Sequence, residues 1–261
     1  MQLKGARIFL TGASGGLGQA LAAQLADAGA HLLLSGTRQA ALTSLRDRLP
    51  GTHEVVAADL TQPEGLARVC AAAHDFGINV LINNAGVGSF GLFDAQGPEA
   101  LDAVLQTNLL MPMRLSQALV PRLKAQPESA IVNIGSVFGS LPFAGFAAYS
   151  SAKAGLRGFS QALRRELADT RVHVIYVAPR AIDTAFNTSA VQALNRALHT
   201  RSDPPGAVAT QVLQALRTDQ AETCLGFPER LFAWINGLAP RLIDRGLAGK
   251  LATIKKHATQ P

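Results

Sequence analysis

In AAYSSAK, residues 147–153, Tyr149 and Lys153 stand four positions apart in a run of small side chains. The longer segment AAYSSAKAGLRGFSQALRREL carries a helical pattern, and a spacing of four stacks the two polar heads on one helix face, one turn apart. An ammonium beside a phenol favours the phenolate and draws its pKa below the ordinary value of about 10. The pair is therefore a candidate acid–base couple. Alone it is a weak signal, since chance supplies it in about one chain in twenty of this composition. A buried tyrosine beside a surface lysine is the structural alternative.

A second candidate lies near the N-terminus. ARIFLTG reads as a strand that runs into Thr11-Gly12-Ala13-Ser14-Gly15-Gly16-Leu17-Gly18 and then into a helix. Glycines let a backbone turn tightly and approach a pyrophosphate, whose charge is favoured by the N–H groups and dipole at a helix start. The spacing is not the usual GxGxxG, so its place between strand and helix gives the turn its weight.

The elements around these residues alternate. ARIFLTG, HLLLSG, HEVVAAD, NVLINNAG, SAIVNIGS, RVHVIYVAP and ETCLGFP read as strands. Between them, GQALAAQLADAGA and LDAVLQTNLLMPMRLSQALVPRL place apolar residues at helical intervals. Repeated βα units with doubly apolar strands predict an α/β fold: a doubly wound, Rossmann-type parallel sheet of about seven strands with helices on both faces. Ligands bind such sheets beyond the carboxyl ends of the strands, where the candidate residues fall. A length of 261 residues and 48% apolar content are enough for one such core, and no linker divides the chain.

Collinear motifs carry a family resemblance. They are Thr11-Gly12-xxx-Gly16-x-Gly18, Asp59-Leu60 after the third strand, Asn83-Asn84-Ala85-Gly86 after the fourth, Asn108, Ser136 and Tyr149-xxx-Lys153. Over residues 1–227 the chain resembles the compact branch of the short-chain dehydrogenases/reductases. The resemblance implies a dinucleotide-binding and catalytic domain over 1–227. It also implies hydride transfer between a nicotinamide and a carbonyl or alcohol. Tyr149 would be the general acid/base, Lys153 the modulator of its pKa and a ligand of the nicotinamide ribose. Ser136 would hold the substrate oxygen, and Asn108 would anchor a water in a proton relay. Cofactor contacts are implied for Gly12, Ser14, Gly16, Leu17, Gly18, Thr37, Arg38, Asp59, Leu60, Asn83, Ala85, Gly86, Tyr149, Lys153, Pro179, Ile182 and Thr184. One departure is Pro179-Arg180, where the family commonly has Pro-Gly.

The end of strand two, LLLSGTRQ, bears on the cofactor. An acidic residue there would accept from the ribose 2′-OH of NAD. Gly36 occupies that place, followed by Thr37 and Arg38, a hydroxyl and a guanidinium suited to a 2′-phosphate. NADP(H) is the expected cofactor and NAD(H) the alternative. The segments VGSFGLF, VFGSLPFAGFAAY and AIDTAFNTSAVQAL contribute Phe90, Phe93, Phe138, Phe143, Phe146 and Phe186, which favour an apolar ketone, aldehyde or secondary alcohol over a sugar. A non-catalytic dinucleotide sensor would have no use for Ser136, Tyr149 and Lys153 together.

Composition bounds the remaining expectations. Cys70 and Cys224 are far apart in sequence, and the six histidines lack HxxxH or HExxH spacing, so neither a disulfide nor a metal site is expected. No stretch reads as a membrane span or a signal peptide, which makes the cytoplasm the default compartment. Of the net charge of +6, +4 lies in residues 228–261, and no basic cluster interleaved with aromatics suggests nucleic acid. This tail, PERLFAWINGLAPRLIDRGLAGKLATIKKHATQP, reads as two amphipathic helices broken near Pro240. Three burial sites stand open for its apolar faces: the parent domain, a second subunit in a homo-oligomer (a dimer is favoured), and peripheral contact with an anionic inner-membrane surface.

Overall fold

The computed structural model describes residues 1–258; residues 259–261 of the expected extension lie outside them. All seven expected strands form one parallel sheet, in the order β3-β2-β1-β4-β5-β6-β7. They are β1 (Arg7–Leu10), β2 (His31–Gly36), β3 (Glu54–Ala57), β4 (Val80–Asn83), β5 (Ser129–Ile134), β6 (Val172–Ala178) and β7 (Glu222–Cys224). β4 and β5 are buried at every residue. This is why they read as unbroken rather than alternating apolar runs.

The pleat divides the strand residues between two cores. Ile8, Leu10, Leu32 and Leu34 face Leu21 and Leu25 of α1 (Gly16–Asp27) together with Val212 and Leu216. Phe9, Leu33, Leu81 and Ile131 face the opposite way, onto Val69, Phe76, Leu115 and Leu119. Successive helices are α2 (Gln39–Arg46), α3 (Pro63–Phe76), α4 (Pro98–Leu105), α5 (Met111–Lys124), α6 (Ala147–Glu166), α7 (Ser189–Ala197) and α8 (Pro205–Thr218). A π-helical segment, Gln106–Leu110, joins α4 to α5. The strand order reverses between β1 and β4, which opens a crevice at their carboxyl ends.

The tail is helical as expected and breaks at Pro240, but it forms three helices: α9 (Glu229–Leu238), α10 (Pro240–Ala248) and α11 (Leu251–Ala258). Gly249 and Lys250 separate the last two. Among the described residues no helix is long and apolar enough to cross a membrane, and no cluster of metal-ligating side chains occurs.

Candidate active site

The glycine turn and the Asn83–Gly86 segment hold each other. Thr11 Oγ1 accepts from the backbone N–H groups of Asn84 and Ala85, each at 3.0 Å. Asn84 Nδ2 donates back to the carbonyls of Thr11 (3.0 Å) and Gly12 (3.1 Å). Gly12 has φ 62°, and a Cβ on it would lie 2.7 Å from Ala85 Cα, so both backbone conformation and space demand glycine. Gly18 is required for another reason: its Cβ would meet the Gly12 carbonyl oxygen at 2.2 Å. α1 then begins with no side-chain cap and no acidic residue in its first turn. Its leading N–H groups and positive dipole end suit a pyrophosphate. The cradle fits the dinucleotide expected of it.

Two further strand ends border this turn. A Cβ on Gly36 would come 3.3 Å from Ser14 Oγ, so the close of β2 lies against the glycine loop. Thr37 and Arg38 follow, both exposed, with Arg38 at the N-cap of α2. Asp59 lies past β3, its Oδ1 accepting from Thr61 N (2.9 Å) and Thr61 Oγ1 (2.7 Å), with Leu60 half-buried beside it. Asn83 is buried; its Nδ2 donates to Asn133 Oδ1 at 2.8 Å, while its own Oδ1 is buried without a partner.

Lys153 is almost wholly buried one turn after Tyr149 on α6. Its Nζ donates to the Ile134 carbonyl at 2.9 Å and stands 5.8 Å from the centre of the Tyr149 ring. Burial lowers the lysine pKa to about 8. Burial also pushes the Tyr149 phenol up to about 12, opposed by a side-chain hydrogen bond with Ser136. In this balance the loss of water outweighs the hydrogen bond with Ser136. Ser136, two residues past the end of β5, caps the short 3₁₀ turn Val137–Gly139, its Oγ accepting from Phe138 N at 3.1 Å.

Asn108 falls in the π segment and is fully buried. Its Nδ2 donates to the Val87 carbonyl (2.8 Å), and its Oδ1 accepts from Val87 N (3.1 Å). The side-chain amide thus fixes the loop that follows Asn83–Gly86. A Cβ on Gly86 would meet Asn108 Oδ1 at 2.7 Å and Lys153 Nζ at 3.9 Å, which draws these three residues into one cluster.

The segment after β6 completes the enclosure. Pro179 accepts from Val137 N at 2.9 Å. Thr184 lies so close to the glycine turn that a Cβ on Gly16 would fall 2.5 Å from its Cγ2. Ile182 bridges to Asp203. Among the described residues the non-glycine positions with positive φ are His199 and Asp219, so Arg180 replaces the usual glycine without adopting its left-handed backbone. Instead Arg180 pairs bidentately with Asp203, at 2.9 and 2.6 Å, and reaches Glu229 of α9 at 3.4 Å.

The short chain dehydrogenase family profile matches residues 6–195. The chain belongs to the short-chain dehydrogenases. It is 36% identical over 186 residues to a 3-oxoacyl-[acyl-carrier-protein] reductase of Vibrio cholerae, covering 70% of this chain and 76% of that one. Among solved structures, a short-chain dehydrogenase from Sphingobium yanoikuyae in complex with NADPH superposes with a TM-score of 0.79 at 30% identity, covering 92% of this chain and 95% of that one. A bulky-bulky ketone specific alcohol dehydrogenase from Comamonas testosteroni gives 0.75 at 29% identity, covering 95% and 94%.

In this short-chain dehydrogenase five of the six expected phenylalanines gather at Tyr149. Phe138 and Phe186 stand 6.4 and 6.2 Å from its ring, and Phe90, Phe143 and Phe146 join through Phe138 or one another at 4.9 to 6.4 Å. Phe93 differs: it is 62% exposed on a 3₁₀ turn.

Sequence reasoning missed Tyr176. This fully buried side chain of β6 places its hydroxyl 3.4 Å from the Ser136 nitrogen, the Ser136 carbonyl and the Lys153 carbonyl. Its ring fills the space a Cβ on Gly135 would need, at 2.1 Å. The available signal was the phenol near the end of VHVIYVA, combined with the glycines on both sides of Ser136-Val137-Phe138.

Proposed function

We propose that the protein is an NADP(H)-dependent reductase of apolar ketones or aldehydes, working equally on the corresponding alcohols in reverse. The observation that carries this reading is the setting of Tyr149: a phenol hydrogen-bonded with Ser136, with the Lys153 ammonium 5.8 Å from its ring centre and phenylalanine rings beside it. When bound, the nicotinamide supplies the hydride that forms the new C–H bond at the carbonyl carbon.

The chain's own residues would manage the proton. A carbonyl oxygen gains negative charge as hydride arrives, and Ser136 would hold it by a hydrogen bond. With its pKa raised to about 12, Tyr149 keeps its proton at neutral pH and would deliver it to that oxygen, leaving an alcohol. Lys153, at about 8, remains mostly an ammonium at pH 7 and would offset the phenolate charge left behind. Its amine would also hold the nicotinamide ribose. The glycine turn would take the pyrophosphate, Thr37 and Arg38 the 2′-phosphate, Asp59 and Leu60 the adenine end, and Asn83, Ala85, Gly86, Pro179, Ile182 and Thr184 the nicotinamide half. The NADPH-bound relative and the relative specific for bulky ketones both support this choice.

The test is NADPH oxidation by purified protein across aryl ketones, aliphatic aldehydes and ketones, and sugars. Best turnover is expected with the apolar members. Best turnover with small, strongly polar carbonyls would refute the substrate class.

A further inference from the structure

α9 turns its apolar stripe away from the protein. Leu231, Trp234 and Leu238 recur at helical spacing, and they are 42, 64 and 68% exposed. Phe227 ahead of them and Leu242 on α10 are likewise exposed, extending the stripe at both ends. A surface helix ordinarily buries such a stripe against its own core. Here neither α9 nor α10 has a fully buried residue. The opposite side of α9 is the one tied down: Asn236 Nδ2 donates to the Ser140 carbonyl at 3.0 Å, just beyond the turn that Ser136 caps.

The charges around the stripe decide what can cover it. Arg230, Arg241, Arg245 and Lys250 are all exposed. Only two acidic residues occur on α9 and α10, and one of them, Glu229, is drawn inward to Arg180. That leaves Asp244 against four cations. A second copy related by a two-fold axis would set this cationic rim against itself. A bilayer rich in anionic lipid would complement it, taking the leucines and phenylalanine among the acyl chains and Trp234 at the headgroup level.

We propose that the outer face of α9 and α10 docks peripherally on an anionic lipid bilayer. The docked face lies across α9 from the loop that follows Ser136, so the membrane surface adjoins the catalytic end of the sheet. The docking does not depend on the substrate reading, and its test is independent of turnover.

Trp234 is the only tryptophan in the chain, which makes its fluorescence a reporter of this face alone. The full-length protein would be floated with vesicles of phosphatidylcholine alone and of phosphatidylcholine and phosphatidylglycerol in equal parts, at low and high salt. Expected is co-flotation with the anionic vesicles at low salt, about tenfold or more above the zwitterionic ones. A shift of Trp234 emission to shorter wavelength should accompany it, and both should weaken at high salt. Two variants with exposed substitutions, Leu238→Ser with Leu242→Ser, and Arg241→Glu with Arg245→Glu, should each lose flotation while keeping the wild-type melting curve. Absence of flotation overturns the proposal, as does flotation with unchanged Trp234 emission or flotation untouched by either variant. A solution mass that falls in the Leu238→Ser, Leu242→Ser variant without any vesicles would also overturn it, by assigning the face to a second copy.

Discussion

The hydroxyl of Tyr176 stands 3.4 Å from the backbone nitrogen of Ser136, linking the interior of β6 to the end of β5. The same oxygen is equally far from the Lys153 carbonyl, so one buried phenol touches the backbones of two residues in the proposed machinery. Tyr176→Phe keeps the ring that packs against Gly135 and removes only those polar contacts. The variant should fold, lose about 1 kcal/mol of stability, and show a kcat several-fold lower. Cofactor affinity should stay unchanged. An unchanged kcat would reduce Tyr176 to a packing residue.

Tyr149→Phe tests the proton donor directly. The ring contacts with Phe138 and Phe186 survive, so cofactor binding and melting temperature should hold, while kcat falls by about 10²-fold or more. Near-full activity in this variant would refute the assignment.

Lys153 makes a prediction about stability with a definite sign. Its folded pKa of about 8 lies below the ordinary 10.5, so between those values the unfolded chain holds a proton that the folded chain has lost. Wild-type stability should therefore rise with pH through that window, and the full cost of burying the ammonium is present below it. Lys153→Met should be inactive yet more stable at pH 7, by on the order of 2 kcal/mol after the loss of the bond to Ile134 is counted. The gap should close as pH rises past the ordinary lysine value. Chemical denaturation at several pH values measures it.

Arg38 is exposed at the N-cap of α2, on the turn that follows β2. Arg38→Ala should lower kcat/KM for NADPH by about tenfold, the scale of a lost charge-assisted pair, and leave that for NADH nearly unchanged. If the wild-type protein already uses NADH as well as NADPH, the preference is wrong.

Arg180→Met leaves the carboxylates of Asp203 and Glu229 without the cation they share. A loss of about 2 kcal/mol is expected, partly recovered by adding Asp203→Asn. Because Arg180 opens the segment that carries Thr184, KM for the cofactor should rise more than kcat falls. Equal effects on both would point to a global rather than a local change.

The sheet and most of the site were legible because their signals are local. Apolar runs ending in small residues marked every strand, and the spacing of Tyr149 and Lys153 fixed their shared helix face. Tyr176 was not legible, since nothing in VHVIYVA distinguishes a phenol packed for bulk from one placed to reach Ser136; its partners Gly135 and Gly139 lie far away in sequence. The π segment at Asn108 was hidden for a related reason, because one extra residue in a helical turn leaves the apolar pattern almost unchanged. In the tail the periodicity identified amphipathic helices correctly but carries no information about which way the stripe faces. That depends on Asn236 and Glu229 finding partners in distant loops.

The last helix reaches back across the molecule. Ile254 is buried, and a Cβ on Gly145 would meet it at 3.2 Å and Phe90 at 2.7 Å, so α11 packs beside the rings that surround Tyr149. The glycine turn, by contrast, is assembled within the first two-thirds of the chain apart from Thr184. Part of the packing behind the aromatic wall is thus encoded beyond every residue of the glycine turn and of the expected nicotinamide contacts. Recombination or drift confined to the 3′ end can remodel what the enzyme accepts while its redox half is inherited intact.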